Sequence, residues 1–116
     1  MNLLTQTLKD QLLGNWKAND AAGLDSPDFQ PVVKFFTPDA GATWLFTELN
    51  PADEDTLFGL CDLGQGEPEL GYVSLRELKT VHGRLGLPIE RDLHFQATRT
   101  LSQYAALARQ CGRIVT

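Results

Sequence analysis

Residues 32–61, VVKFFTPDAGATWLFTELNPADEDTLFGLC, decide the fold. Three runs rich in β-branched and aromatic residues stand out: Val32–Thr37, Ala42–Glu48 and Thr56–Cys61. Each is bounded by turn formers, first Pro38-Asp39-Ala40-Gly41 and then Asn50–Asp55. Short connections of this kind join antiparallel neighbours, because a parallel crossover needs a longer return path. The expectation is a β-meander with strands at 32–37, 43–48 and 56–61. In the second strand Trp44 and Phe46 alternate with Thr43, Leu45 and Thr47. That period of two predicts one face packed on helices and the other partly wet.

Outward from this core, Leu4, Leu8, Leu12 and Trp16 recur every four residues, with Leu13 widening the stripe. This is an amphipathic helix, and Gly14-Asn15 supplies a stop signal. Residues 17–30, KANDAAGLDSPDFQ, read as a polar loop. After the turn Gly64–Pro68, Glu69–Val73 reads as a short edge strand. Ser74-Leu75-Arg76-Glu77 matches a capping box and opens a short helix at about 75–81, with Leu75 and Leu78 inward. Gly83 and Gly86-Leu87-Pro88 end it, and Ile89–Gln96 reads as a further strand. Thr100-Leu101-Ser102-Gln103 is a second capping box. It starts a last helix with Leu101, Tyr104, Ala105 and Ala108 on one side, with Gly112 as its stop and 109–116 as a tail.

The 116 residues thus predict one α+β domain spanning 1–116. An antiparallel sheet of four or five strands carries helices from both chain ends. Trp44 or Phe46, Phe35 or Phe36, Phe58, Leu78 and Leu101 should share one core. The N-terminus has no basic n-region followed by an apolar h-region, and no stretch has the length of a membrane span. The expected location is the cytoplasm, without membrane contact. There Cys61 and Cys111 would be free, partly buried thiols.

Charge is distributed unevenly. No Lys or Arg occurs between Lys34 and Arg76, a stretch with eight carboxylates: Asp39, Glu48, Asp53, Glu54, Asp55, Asp62, Glu67 and Glu69. From Arg76 onward seven basic residues outnumber Glu77, Glu90 and Asp92, and the whole chain is −5. Such a field steers a charged partner. Glu48, Asp53, Glu54, Asp55, Asp62, Glu67 and Glu69 are the candidate interaction residues, expected on strand ends and loops facing solvent.

Catalytic and ligand motifs are weak. The two histidines, His82 and His94, stand twelve positions apart without a metal-ligand spacing, and His94 falls on the wet side of its strand. Ser74 is explained as a helix cap, and Gly71-Tyr72-Val73-Ser74-Leu75 lacks the second glycine of a nucleophile elbow. Asp53-Glu54-Asp55 does not continue into a calcium loop. Gly64-Gln65-Gly66-Glu67-Pro68 places carboxylates where a phosphate would sit. Neither a metal nor a cofactor is expected. A net negative charge disfavours direct nucleic-acid binding. One alternative polar site stands apart: Glu90, Arg91 and Asp92 follow a Gly/Pro turn, and Arg91 has the chemistry to pair with a carboxylate of the acidic middle. As an ion pair it ties strand to sheet; in a cleft it makes a small enzyme or ligand-binding site.

Five blocks, Val33–Pro38, Thr43–Glu48, Leu57–Leu60, Glu67–Leu78 and Leu85–Phe95, follow one another in an order that resembles the bacterial family of domains of unknown function numbered 2958. The resemblance covers about residues 3–107, with Glu69–Ser74 and Leu85–Asp92 as its most specific parts. It implies a small stand-alone protein often carried on plasmids, conjugative elements and phages, and it brings no catalytic residues. The functional expectation is therefore a non-enzymatic accessory protein of mobile elements that binds the basic surface of another protein. Its acids would serve as a DNA mimic or counter-defence factor.

Overall fold

The structure is a computed structural model that describes residues 2–116. Its elements are α1 (Gln6–Ala22), a 3-10 turn (Gly23–Asp25), β1 (Val33–Phe36), β2 (Thr43–Leu49), β3 (Thr56–Asp62), β4 (Glu69–Ser74), α2 (Leu75–Leu78), β5 (Glu90–Arg91) and α3 (Leu101–Cys111). The five strands form one antiparallel sheet in the order β4-β3-β2-β1-β5. This is the expected α+β meander, with β5 returning to the far side of β1.

Both faces of the sheet centre are covered, where one was expected to be wet. Registers Phe35↔Trp44↔Cys61 and Val33↔Phe46↔Gly59 define one face. It packs with Leu3, Leu4, Leu12, Leu75, Leu78 and Ile89. Leu45↔Leu60 defines the other face, which meets Leu101, Tyr104, Ala105, Ala108 and Ile114. The sheet thus separates two cores: Phe58 and Leu101 belong to the α3 side, and Phe35, Trp44, Phe46 and Leu78 to the opposite side.

Helix α1 runs eight residues beyond Gly14, through the first six residues of the predicted loop, to a C-cap at Gly23 with φ of 59°. Tertiary contacts override the stop signal. β1 leaves β2 at Val33↔Phe46, and a bulge follows between Phe46 and Glu48. There α1 lies against β2: Asn15 Nδ2 donates to the Thr47 carbonyl at 2.9 Å, and Asn19 Nδ2 to Glu48 Oε1 at 2.9 Å. The asparagines one turn apart that looked like loop residues satisfy a strand edge. The rest of the predicted loop stitches to α3, since Leu101 N donates to the Phe29 carbonyl at 2.8 Å and Ser102 N to Asp28 Oδ1 at 3.1 Å.

One further correction concerns the C-terminal half. The strand expected at 89–96 shrinks to Glu90–Arg91, because Asp92 turns the chain: its carboxylate accepts from His94 N at 2.9 Å. The last helix stops where expected: α3 runs to Cys111 and Gly112 caps it in the left-handed region, and beyond it Ile114 is buried in the α3 core. Thr100 and Gln103 close the expected capping box.

Candidate functional site

Six of the eight acids of the middle segment bind the protein's own donors, and two of them are buried. Glu48 and Asp62 are buried, contrary to the expectation of solvent exposure. Glu48 accepts from Asn19 and from Thr47 Oγ1 (3.2 Å), and Asp62 accepts from Gly64 N and Ile114 N, both at 2.9 Å. Asp53 folds the β2–β3 loop by accepting from Asp55 N, Thr56 N and Thr56 Oγ1, the last at 2.6 Å. These bonds, led by the Thr56 hydroxyl, hold its carboxyl down at about 2. Asp55 accepts from Ser74 Oγ at 2.6 Å and Arg76 N at 2.8 Å, which also lowers its pKa. Glu54, at a positive φ of 50°, pairs with Lys9 at 2.6 Å. Asp39 accepts from Leu85 N at 2.6 Å and anchors the 83–87 loop.

The alternative polar site is also structural in its visible contacts. Arg91 Nη1 donates to the carbonyls of Asn2 (3.1 Å) and Leu3 (2.8 Å) and so fixes the chain start. Asp92 pairs with Lys34 at 3.8 Å. Glu90 lies half-buried opposite Phe36, beside a depression of about 270 Å³ that also touches Arg91, Asp92 and His94.

Glu67 and Glu69 differ from the other acids of the middle segment: like Glu77 just beyond it, among the described residues their carboxylates make no hydrogen bond or ion pair. Glu77 was expected to complete a capping box with Ser74. Ser74 Oγ does accept from Glu77 N at 3.2 Å, but the Glu77 carboxylate makes no return bond to Ser74 N, while Asp55 takes the next two amides, Leu75 N with its carbonyl and Arg76 N with its carboxylate. The Glu77 side chain is exposed. It lines a groove of about 400 Å³ together with Glu69, over a floor of Trp44, Cys61, Val73, Leu78 and Val81. Burial raises the Cys61 thiol to about 11, so it acts here as apolar wall. A larger depression of about 610 Å³ beside α3 is lined by Thr98, Arg99, Gln103 and Gln110 and has no comparable apolar floor.

The groove runs along β4, the outermost strand. Beyond its ladder to β3, no described residue bonds the β4 backbone across the outer edge. β4 itself holds neither proline nor lysine, and its single charge is Glu69 at its start. Leu70 and Tyr72 also border the groove, but they alternate with Glu69, Gly71 and Val73, which turns their side chains toward the other sheet face, where they are 42% and 67% exposed. Phe58 and Trp16 support the Tyr72 ring, with centroids at 5.0 and 6.2 Å. Sequence reading placed Glu67 and Glu69 here but missed Leu70, Tyr72 and Glu77. The first two looked like ordinary strand positions, and Glu77 looked like a cap.

The described residues hold no cluster of His, Cys, Asp and Glu suited to a metal, and none of their helices is long and apolar enough to cross a membrane. The arrangement is that of a small α+β domain with an open sheet edge flanked by an acid-rimmed groove. The chain belongs to the family of proteins of unknown function DUF2958, whose profile matches residues 3–115. No curated protein and no solved structure matches it.

Proposed function

We propose that this chain is a non-catalytic accessory protein that binds another protein through the β4 edge. The observation that carries this reading is the combination of an edge strand with an open outer side and exposed Leu70 and Tyr72 on it. Exposed edges of this kind template pairing with another chain, and natural proteins usually blunt them. The unpaired Glu67, Glu69 and Glu77 favour a basic partner surface. Because Glu48, Asp53, Asp55 and Asp62 bind internal donors, the acids favour a local protein contact over an array imitating a phosphate backbone. Mobile genetic elements and their hosts, the setting implied by the family resemblance, are where the partner is to be sought.

The test is capture from a nuclease-treated host extract, comparing wild type with the Leu70→Lys/Tyr72→Lys double variant. Both side chains are exposed, so the variant should keep its thermal transition. A protein recovered by wild type and lost by the variant supports the site. A protein recovered equally by both removes β4 from the reading.

A further inference from the structure

We propose that the occupant of the β4 edge is an extended partner segment in which basic and apolar residues alternate, docking as a sixth strand. This rests on the protein-binding reading above and specifies its chemistry. Successive side chains of a strand point to opposite sheet faces, so an added strand must satisfy two different surfaces at once. On one face it meets Leu70 and Tyr72, which ask for apolar contacts. On the other it passes the groove beside Gly71, where an added Cβ would meet no heavy atom within 4 Å. That space is open to a side chain from outside.

The groove selects a long cationic side chain. Its floor of Trp44, Val73 and Val81 suits an aliphatic stem, and the carboxylates of Glu69 and Glu77 wait at the rim. Lys and Arg are the residues that lay a methylene stem on apolar surface while keeping the charge at the edge. The resulting signature is apolar-basic-apolar, with the basic residue between Glu69 and Glu77. A second copy of this chain is the poorer occupant. Its own β4 would bring Glu69 toward the same carboxylates, and the segment from 35 to 75 offers no Lys or Arg to answer them.

The experiment uses the full chain and fluorescein-labelled octapeptides, read by anisotropy at low and high salt. The probes are alternating Arg/Val, alternating Glu/Val, and Arg/Val with backbone N-methyl groups on one or the other alternate set of amides. The expected result is saturable binding of the Arg/Val peptide, weakened by salt and at least about tenfold by Glu69→Gln/Glu77→Gln. One N-methylated set should lose binding and the other keep it, because only alternate amides face the edge. Equal binding of the Glu/Val peptide, or indifference to both methylation patterns, overturns strand addition. So does a dimer in sedimentation that Tyr72→Lys dissolves, which would make a second copy the occupant. If no peptide binds while the captured protein still depends on Leu70 and Tyr72, the strand chemistry falls and the binding module stands. If that dependence is also absent, both fall.

Discussion

Replacing Gly59 with alanine tests the packing of the sheet centre. Gly59 lies in β3 opposite Phe46, next to the β2 bulge. A Cβ built there would stand 1.9 Å from the Leu45 carbonyl oxygen and 2.8 Å from Leu45 C and Phe46 Cα. All three atoms belong to backbone, so no side chain can swing away. Ordinary contact begins near 3.4 Å, and β2 and β3 must part locally by about 1.5 Å. A ladder bond of ~2.9 Å stretched that far is no longer a hydrogen bond. Leu45 and Leu60 flank the site, both buried, so water cannot replace the lost partners. Losing two such bonds at ~1–3 kcal/mol each, partly relieved by relaxation, gives about 2–5 kcal/mol. That is a large share of the ~5–15 kcal/mol typical of a domain. In urea, with a slope of ~1–3 kcal/mol per molar, the midpoint should fall by about 2 M. Gly71 is the internal control, because it pairs directly with Gly59 but has open space around its missing Cβ. Gly71→Ala should be neutral or stabilise by up to ~1 kcal/mol. If both variants unfold at the same urea concentration, the close approach of β2 to β3 is wrong.

Asp62→Ala should cost about 2–4 kcal/mol, since it leaves the buried Ile114 N without an acceptor, and amide exchange at 112–116 should rise with it. Thr100→Ala removes the α3 cap and should cost about 1 kcal/mol by urea titration. Asp53 has a folded pKa of about 2 against 3.8 ordinarily, so its contribution is complete above 3.8 and lost as pH falls through 2. Asp53→Asn should therefore flatten the acid limb of stability between those values while leaving the groove unchanged, as followed by circular dichroism.

Local signals reported the fold well wherever a residue's partner lay nearby in sequence. The strands at β1 to β3 are bounded by their own turns, and Thr100-Leu101-Ser102-Gln103 caps α3 as read. The reading failed where partners are distant. Gly14-Asn15 looks like a helix stop until β2, thirty-two residues further on, offers Asn15 a carbonyl. The wet face of the sheet disappeared because the last helix and Ile114 cover it. Asp53-Glu54-Asp55-Thr56 is the instructive case. Asp followed by a Thr three positions later is a side-chain-to-backbone turn signature, and the segment can be read that way from sequence alone. Counting it as surface charge gave it to a partner when it was already engaged by the loop.

The same distinction explains why the candidate site was only half legible. Availability of a strand edge is a property of topology: β4 is open because the meander ends there and the chain crosses to the far side of β1 for β5. Glu69–Val73 reads as an edge strand from sequence, and β4 is one, but only the topology shows that its outer side is left uncovered. Glu77 sits where distant contacts put it: Asp55, nineteen residues before Ser74, bonds the Ser74 hydroxyl and the first two amides of α2, the helix that carries Glu77. The acidic segment and the groove are thus linked. Its internally bonded carboxylates shape the β2–β3 loop that holds the start of α2, and α2 places Glu77 in the groove beside Glu69. Weakening the Asp55 contacts should disturb the groove as well as the fold. Asp55→Ala should therefore lower stability and reduce peptide binding together, whereas Glu77→Gln should reduce binding alone.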